Sequence, residues 1–322
     1  MARSGRFAVK LLDGLQKSVR ALAREVKSTQ TPRPAPPKPC RIGLALGGGF
    51  ARGLAHVGIL KVLEEEGIIP DFIAGTSVGA VIGAAYCSGV SAKELEEIAA
   101  IVRVKDFARY TISRFGLCTN DRMTGFLRRI LKVKTFEELR IPLAVAATDF
   151  MSGEPVVFTK GPLADPVRAS CAYPGVFLPV SVQGRLMVDG LLGHAVPAQP
   201  LRQMGADRVA AVHFRAHWVN RTPRHVFEVI GQCFSIAMAN VNCLWQQHAD
   251  LVIEPDVTGY AFDDFQRAMS LIKIGEASGR EMLPTFRAWA AERETYARYQ
   301  AESTKTKVTL APAVLREPIP LG

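Results

Sequence analysis

Gly75-Thr76-Ser77-Val78-Gly79 sets a serine between two glycines in the spacing G-x-S-x-G. The apolar run Phe72–Ala74 precedes it and a small-residue stretch over 78–88 follows, so the context is strand, tight turn, helix. Such a turn exposes the serine oxygen at its tip, and the helix N-terminus beyond favours developing negative charge. Ser77 is therefore a candidate nucleophile, with Gly75 and Gly79 forming its elbow. The same residues would also serve a purely structural turn.

A second glycine cluster, Leu46-Gly47-Gly48-Gly49-Phe50-Ala51-Arg52-Gly53, also lies between a strand signal and a helix signal. Phosphate-binding readings fit it badly. A Walker loop needs Gly-Lys-Ser/Thr at its end, whereas Gly53 is followed by Leu54-Ala55. A dinucleotide fingerprint begun at Gly47 needs glycine where Arg52 stands, and begun at Gly48 it needs glycine at Phe50. What remains is a row of backbone N–H groups capped by a helix, suited to an oxyanion that forms transiently. Each donor of that kind is worth about 2.7–4 kcal/mol to acyl transfer.

A serine nucleophile needs a base. The histidines after Ser77 are His194, His213, His217, His225 and His248, and none stands in an isolated glycine-bounded loop. Asp189, in Leu186-Met187-Val188-Asp189-Gly190-Leu191, is the stronger candidate. It ends an apolar strand ahead of a glycine, which predicts a carboxylate at the C-terminal, functional edge of a parallel sheet. An ordinary Asp-Gly turn is the competing reading. His56, on the helix after the glycine loop, reads as a packing or capping residue.

The surrounding pattern alternates short apolar strands with helices. Strands are expected at Ile42–Leu46, Phe72–Ala74, Leu143–Ala147, Val209–His213 and 251–253, and helices at 52–66, 78–88, 224–248 and roughly 264–299. Ser91 with Glu94 forms a capping box for a further helix. This alternation predicts an α/β fold with a mostly parallel central sheet covered by helices on both faces. From Phe72 to Ala92 no charge occurs over 21 residues, but the glycines break the run into strand, turn and buried helix, so a soluble protein is expected.

The chain has 322 residues, 48% hydrophobic and 22% charged, which allows one large α/β domain or two smaller ones. Its net charge of +10 suggests an acidic partner, a membrane surface or nucleic acid. The excess is uneven: residues 1–40 carry +7 and residues 105–140 carry +5. Within the first, Phe7, Leu11, Leu15, Val19, Leu22 and Val26 form one apolar face of a basic helix over residues 1–30. It suits an anionic membrane surface, packing on the body, or a mitochondrial targeting role. Thr31–Pro39 holds five prolines in nine residues, making 31–40 an extended linker. In 105–140, Phe107, Tyr110, Phe115 and Phe126 are interleaved with cations. A solvated helical insertion and a lipid-touching lid both fit. A nucleic-acid partner is not expected, because no aromatic platform or reading motif accompanies the basic arm. The six cysteines show no CxxC pair or metal-ligand spacing and read as core residues of a reducing compartment. No secretory signal is evident.

Taken in order, the three motifs resemble the patatin-like phospholipase family, in particular its bacterial members. The resemblance extends to Ala147-Thr148-Asp149 with Gly153-Glu154, to Ala169–Pro179, and to Asp264-Phe265 through Gly275. It spans about residues 41–290, within a domain of 41–300 whose core motifs fill 41–210 and whose helical C-terminal part fills 224–300; 301–322 reads as a tail. It implies a lipid acyl hydrolase with Ser77 as nucleophile and Asp189 as base, cleaving phospholipid or lysophospholipid esters through an acyl-serine. The backbone of Gly47, Gly48 and Gly49 would hold the oxyanion, and Arg52-Gly53 would close that loop. No metal and no cofactor is implied. A cytoplasmic protein is expected, with peripheral attachment to the inner membrane face through residues 1–40 and 105–140 as a further option. The alternative is a catalytically weak lipid-binding or regulatory protein that keeps the fold. Two departures bear on substrate preference. Phe50 stands where a fourth glycine is often found, which predicts a negative φ there. Leu191 follows Asp189-Gly190 where Gly or Ala is usual, and Gly193-His194 stands where an Asn is common, crowding the acid's turn.

Overall fold

A computed structural model of the chain describes residues 36–113, 116–215, 222, 229, 232–233, 236–237, 244–261 and 263–309. Residues Pro39–Arg298 form one compact unit. The basic helix expected over 7–26 lies outside the described residues, as do His217, His225 and Phe115.

In chain order the elements are β1 (Ile42–Leu46), a 3-10 turn (Phe50–Leu54), α1 (Ala55–Glu65), β2 (Phe72–Thr76), α2 (Val78–Cys87) and α3 (Ala92–Ile101). A hairpin of β3 (Arg109–Ser113) and β4 (Gly116–Thr119) leads to α4 (Asp121–Ile130). Then come β5 (Leu143–Asp149), β6 (Pro155–Phe158), α5 (Ala164–Ser170), β7 (Val180–Val182), β8 (Arg185–Asp189), α6 (Leu191–His194) and α7 (Ala198–Met204). β9 (Arg208–Val212), β10 (Leu251–Ile253) and α8 (Ala268–Thr309) complete the order. The capping box at α3 is present: Glu94 N–H donates to Ser91 Oγ at 3.2 Å, and Ser91 N–H to the Glu94 carboxylate at 2.7 Å.

The main sheet runs β10-β9-β1-β2-β5-β8-β7, with β6 also on β5. From β10 to β5 the pairing is parallel; β6 and β8 are antiparallel to β5, and β7 is antiparallel to β8. The expected α/β fold with a mostly parallel sheet is therefore observed, with antiparallel strands on one side.

Period-two alternation divides the sheet residues between two cores. Ile42, Leu44, Leu46, Ile73, Leu143 and Val145 join the larger core with α1, α2 and α8. Ala45, Ala74, Ala144 and Ala211 face the smaller core, which Leu201 of α7 and Trp245 complete. Small side chains on that face let α7 pack directly on β1 and β2. Cys40, Cys87, Cys118 and Cys171 are buried free thiols.

Several expected bounds shift. β2 continues through Thr76 and β5 through Asp149. α8 runs to Thr309, so the first residues assigned to the tail are helical. Most of the helix expected over 224–248 lies outside the described residues, and its last five residues, Leu244–His248, form a 3-10 turn. The uncharged run Phe72–Ala92 is divided among β2, the elbow and α2, and among the described residues no helix is long and apolar enough to cross a membrane.

Candidate active site

Strand register brings the two candidate catalytic residues together. Thr76 pairs with Ala146 of β5, so Ser77 stands one step beyond it. On the other side of β5, Asp189 pairs with Ala147. Ser77 and Asp189 thus end at the same height, separated by the width of one strand. The sequence placed Asp189 at this edge as the last residue of a parallel strand. That reason is corrected: β8 is antiparallel, starts beyond the edge and runs inward, and Asp189 arrives there through its register.

The Ser77 hydroxyl lies beside the Asp189 carboxylate and favours its charged form. Asp189 is 1% exposed. Its Oδ1 accepts from Leu191 N–H at 2.9 Å. Burial raises its pKa to about 7, against the lowering effect of the Leu191 N–H and the Ser77 hydroxyl. Its main chain is held as well: Asp189 N–H donates to Ala172 O at 3.0 Å, and Thr148 Oγ1 donates to Asp189 O at 3.0 Å.

Ser77 has φ 54° and ψ −123°, a left-handed φ that costs a non-glycine residue on the order of 1–3 kcal/mol. Three bonds hold it there. Ser77 N–H donates to Ser170 Oγ at 2.8 Å, and Ser77 O accepts from Ala80 N–H at 2.8 Å and Val81 N–H at 3.1 Å. Gly79 is required by close approach: a Cβ there would collide with the Leu46 carbonyl.

The glycine loop divides its donors. Gly47 N–H donates to Val212 O and Gly48 N–H to Ala195 O, each at 3.1 Å, so both are engaged in holding the loop. Gly49 N–H has no acceptor among the described residues, and the same holds for Val78 and Gly79 N–H at the N-terminus of α2 beside Ser77. Gly48 faces the nucleophile: a Cβ on it would lie 3.6 Å from Ser77 Cβ and 3.7 Å from Leu191 Cδ1. Gly53 lies against Val78, where a Cβ would collide with that side chain. Arg52 closes the loop half-buried, its Nε buried without a partner, and burial lowers its pKa. The negative φ expected at Phe50 is overturned, for it stands at φ 51°.

His56 does more than pack. Fully buried, it donates from Nε2 to Gly47 O at 2.8 Å, which ties α1 to the loop. Its Nδ1 is buried without a partner, and burial lowers its pKa to about 4, so the ring is neutral. Among the described residues no histidine side chain hydrogen-bonds Ser77 or Asp189. His213 pairs with Glu254 at 3.0 Å, and His194 contributes its carbonyl to Thr76 Oγ1 at 2.6 Å. Ser170, Thr148 and Thr76 were not picked out as site residues from sequence. Ser170 lies in the Ala169–Pro179 block, whose resemblance was the available signal.

Ser77 opens onto an apolar cavity. Its walls come from the glycine-loop side (Phe50, Leu54), α2 (Val78, Val81), α3 (Leu95, Ile98), α4 (Met123, Phe126, Ile130), Val102, Phe107, Phe177 and Phe265, and none of the described residues that line it is charged. A hydroxyl set next to a buried carboxylate beside such a cavity can attack the carbonyl of an ester whose hydrocarbon part lies in the cavity.

A sequence profile of the family described as patatin-like phospholipase matches residues 44–202. An uncharacterised NTE family protein of Mycobacterium tuberculosis is 35% identical over 208 residues, covering 57% of this chain and 56% of that protein. Human patatin-like phospholipase domain-containing protein 6 is 34% identical over 184 residues, 53% of this chain but 13% of that protein. The chain thus spans little more than half the length of the mycobacterial relative. Among solved structures, VipD from Legionella pneumophila shares the fold at a TM-score of 0.52 with 14% identity, covering 78% of this chain and 67% of that one.

Proposed function

Given that residues 44–202 belong to the patatin-like phospholipase family, we propose that the chain is a serine hydrolase cleaving fatty acyl esters of phospholipids or lysophospholipids. The observation that carries this reading is the strand register that sets Ser77 beside the buried Asp189 carboxylate at the end of an apolar cavity. Asp189 takes the proton as Ser77 Oγ attacks the ester carbonyl, then returns it to the leaving alcohol as the C–O bond breaks and the acyl-serine forms. Water, with Asp189 again as base, then releases the fatty acid. A carboxylate raised to about 7 is a stronger base than an ordinary aspartate and still ionises near neutral pH. The oxyanion role moves along the loop: Gly47 and Gly48 N–H hold its shape, while Gly49 N–H and the first N–H groups of α2 are left to meet the developing charge.

The surface around the cavity supports a membrane as the place of work. α4 turns Met123, Phe126 and Ile130 to the cavity and Arg122, Arg128 and Arg129 to solvent. Tyr110 on the neighbouring hairpin is 88% exposed, and Ile101 at the end of α3 is 75% exposed. Exposed apolar groups beside exposed cations suit an anionic bilayer. Peripheral docking through this rim accordingly belongs to the proposal.

The test is direct. Wild type should turn over short- and long-chain acyl esters and be labelled by a fluorophosphonate probe, and Ser77→Ala should do neither. A wild-type protein that neither labels nor turns over any ester overturns the hydrolase reading.

A further inference from the structure

Among the described residues three non-glycine residues have positive φ: Phe50, Ser77 and Gln183. Gln183 sits with Gly184 in the two-residue turn between β7 and β8, where hairpin geometry asks for such a backbone. Ser77 is the candidate nucleophile. Phe50 is neither, yet it holds φ 51° at the start of the 3-10 turn directly after the glycine loop. Glycine would adopt that backbone without cost, so a phenylalanine there keeps a large side chain at the expense of strain.

That side chain lines the same cavity as Ser77. Its ring meets Phe265 edge-on, centroids 5.7 Å apart, and Phe265 in turn lies 5.6 Å from Phe107. Phe107 and Phe265 also line the cavity, so three rings form one aromatic wall. Phe107 and Phe265 are buried in the core and fixed by packing. Phe50 is attached one residue from Gly49, beside the position where the ester carbonyl must lie. An acyl chain reaching Ser77 has to share the cavity with this ring.

We infer that Phe50 determines acyl-chain preference: its ring fills room next to the reacting carbonyl and disfavours long acyl chains. The inference rests on the hydrolase reading and deepens it. Because the part of Phe50 that could face an oxyanion is its backbone, Phe50→Gly and Phe50→Ala alter the cavity and leave the loop's N–H groups in place.

The experiment compares wild type, Phe50→Gly and Phe50→Ala on p-nitrophenyl butyrate and dodecanoate, both kept monomeric. Each substitution should raise the dodecanoate-to-butyrate ratio of kcat/KM by about tenfold or more, the scale of discrimination a hydrophobic pocket achieves. Fluorophosphonates with short and long alkyl chains should show the same change in labelling ratio. Phe50→Gly should also melt at a higher temperature than Phe50→Ala, since only glycine relieves the positive φ. It carries the comparison if the alanine variant does not fold. Turnover by wild type, with the variants' ratios within twofold of the wild-type ratio, overturns this inference alone. Absence of turnover and labelling in wild type removes the hydrolase reading and this inference with it.

Discussion

Two regions meet at the cavity and are built on opposite physical terms. At the sheet edge, Ser77 and Asp189 are positioned by strand register and buried main-chain hydrogen bonds, and among the described residues no cation pairs with the carboxylate. Over the cavity, α3, the β3–β4 hairpin and α4 are positioned by apolar packing, with their charges turned outward. Among the described residues, Arg109–Asp121 at 3.9 Å and Lys132–Glu94 at 2.8 Å join exposed groups of the kind worth at most about 1 kcal/mol, while Arg168–Asp121 at 3.2 Å and Lys61–Glu96 at 2.9 Å tie the cover to α5 and α1 through partly buried cations. The edge is thus held without exposed charge, and its chemistry depends on dehydrating an acid. The cover is held loosely by charge and presents what charge it has to the outside.

Asp189→Asn should break the contrast most sharply. Loss of the base should lower kcat by about 10⁴-fold, as when the acid of a catalytic triad is neutralised. In wild type, kcat/KM should rise as pH increases through about 7, where Asp189 ionises. Stability should move the other way. The folded carboxyl binds its proton more tightly than the unfolded one, so wild-type stability falls as pH rises from about 4 to about 7 and the full cost is present above that. The asparagine variant escapes this cost, which is on the order of 4 kcal/mol at most. Denaturant melts of both proteins at pH 5 and pH 8 check it: the variant's relative stability should increase with pH, and a constant difference would mean that Asp189 is not dehydrated.

The cover is probed by reversing Arg128 and Arg129 to glutamate. Each cation near an anionic surface is worth about 1 kcal/mol, so affinity for vesicles containing phosphatidylserine should fall at least tenfold, and the wild-type affinity should weaken with added salt. Vesicle sedimentation at two ionic strengths measures both; unchanged binding would reduce the cover to a solvated wall. The smallest effect expected is at Ser170→Ala, which leaves Ser77 N–H buried without its acceptor at a cost of about 1–3 kcal/mol. A lowered melting temperature together with a lower kcat would show that this bond holds the elbow in its working shape.

Much of the edge was legible in sequence because its constraints are local. Glycines flank Ser77 because the chain turns tightly there, and Asp189-Gly190 announces the end of a strand. The direction of β8 was not legible, since it depends on which strand it pairs with and nothing near Asp189 records that. The same holds for the loop: Gly47 and Gly48 are occupied by Val212 and Ala195, more than 140 residues away in sequence, a fact no spacing rule contains. Phe50 shows the converse failure. Its backbone preference pointed to negative φ, and closure of the loop onto α1 overrode that preference. In the cover, the alternation of aromatics and cations was visible, but only packing reveals that Phe107 and Phe126 turn to the cavity while Tyr110 stays outside.

The unequal faces of the sheet carry a consequence for how this chain can change over generations. On the face toward α7, Ala45, Ala74, Ala144 and Ala211 leave no room for added atoms, so nearly every substitution there is an expansion and causes strain. On the opposite face, Ile42, Leu44, Leu46 and Ile73 fill the larger core, and the damaging substitutions are contractions that leave holes. Adjacent positions of a single strand are thus governed by opposite rules of tolerance, and the five residues of β1 must satisfy both rules in alternation before the glycine loop even begins.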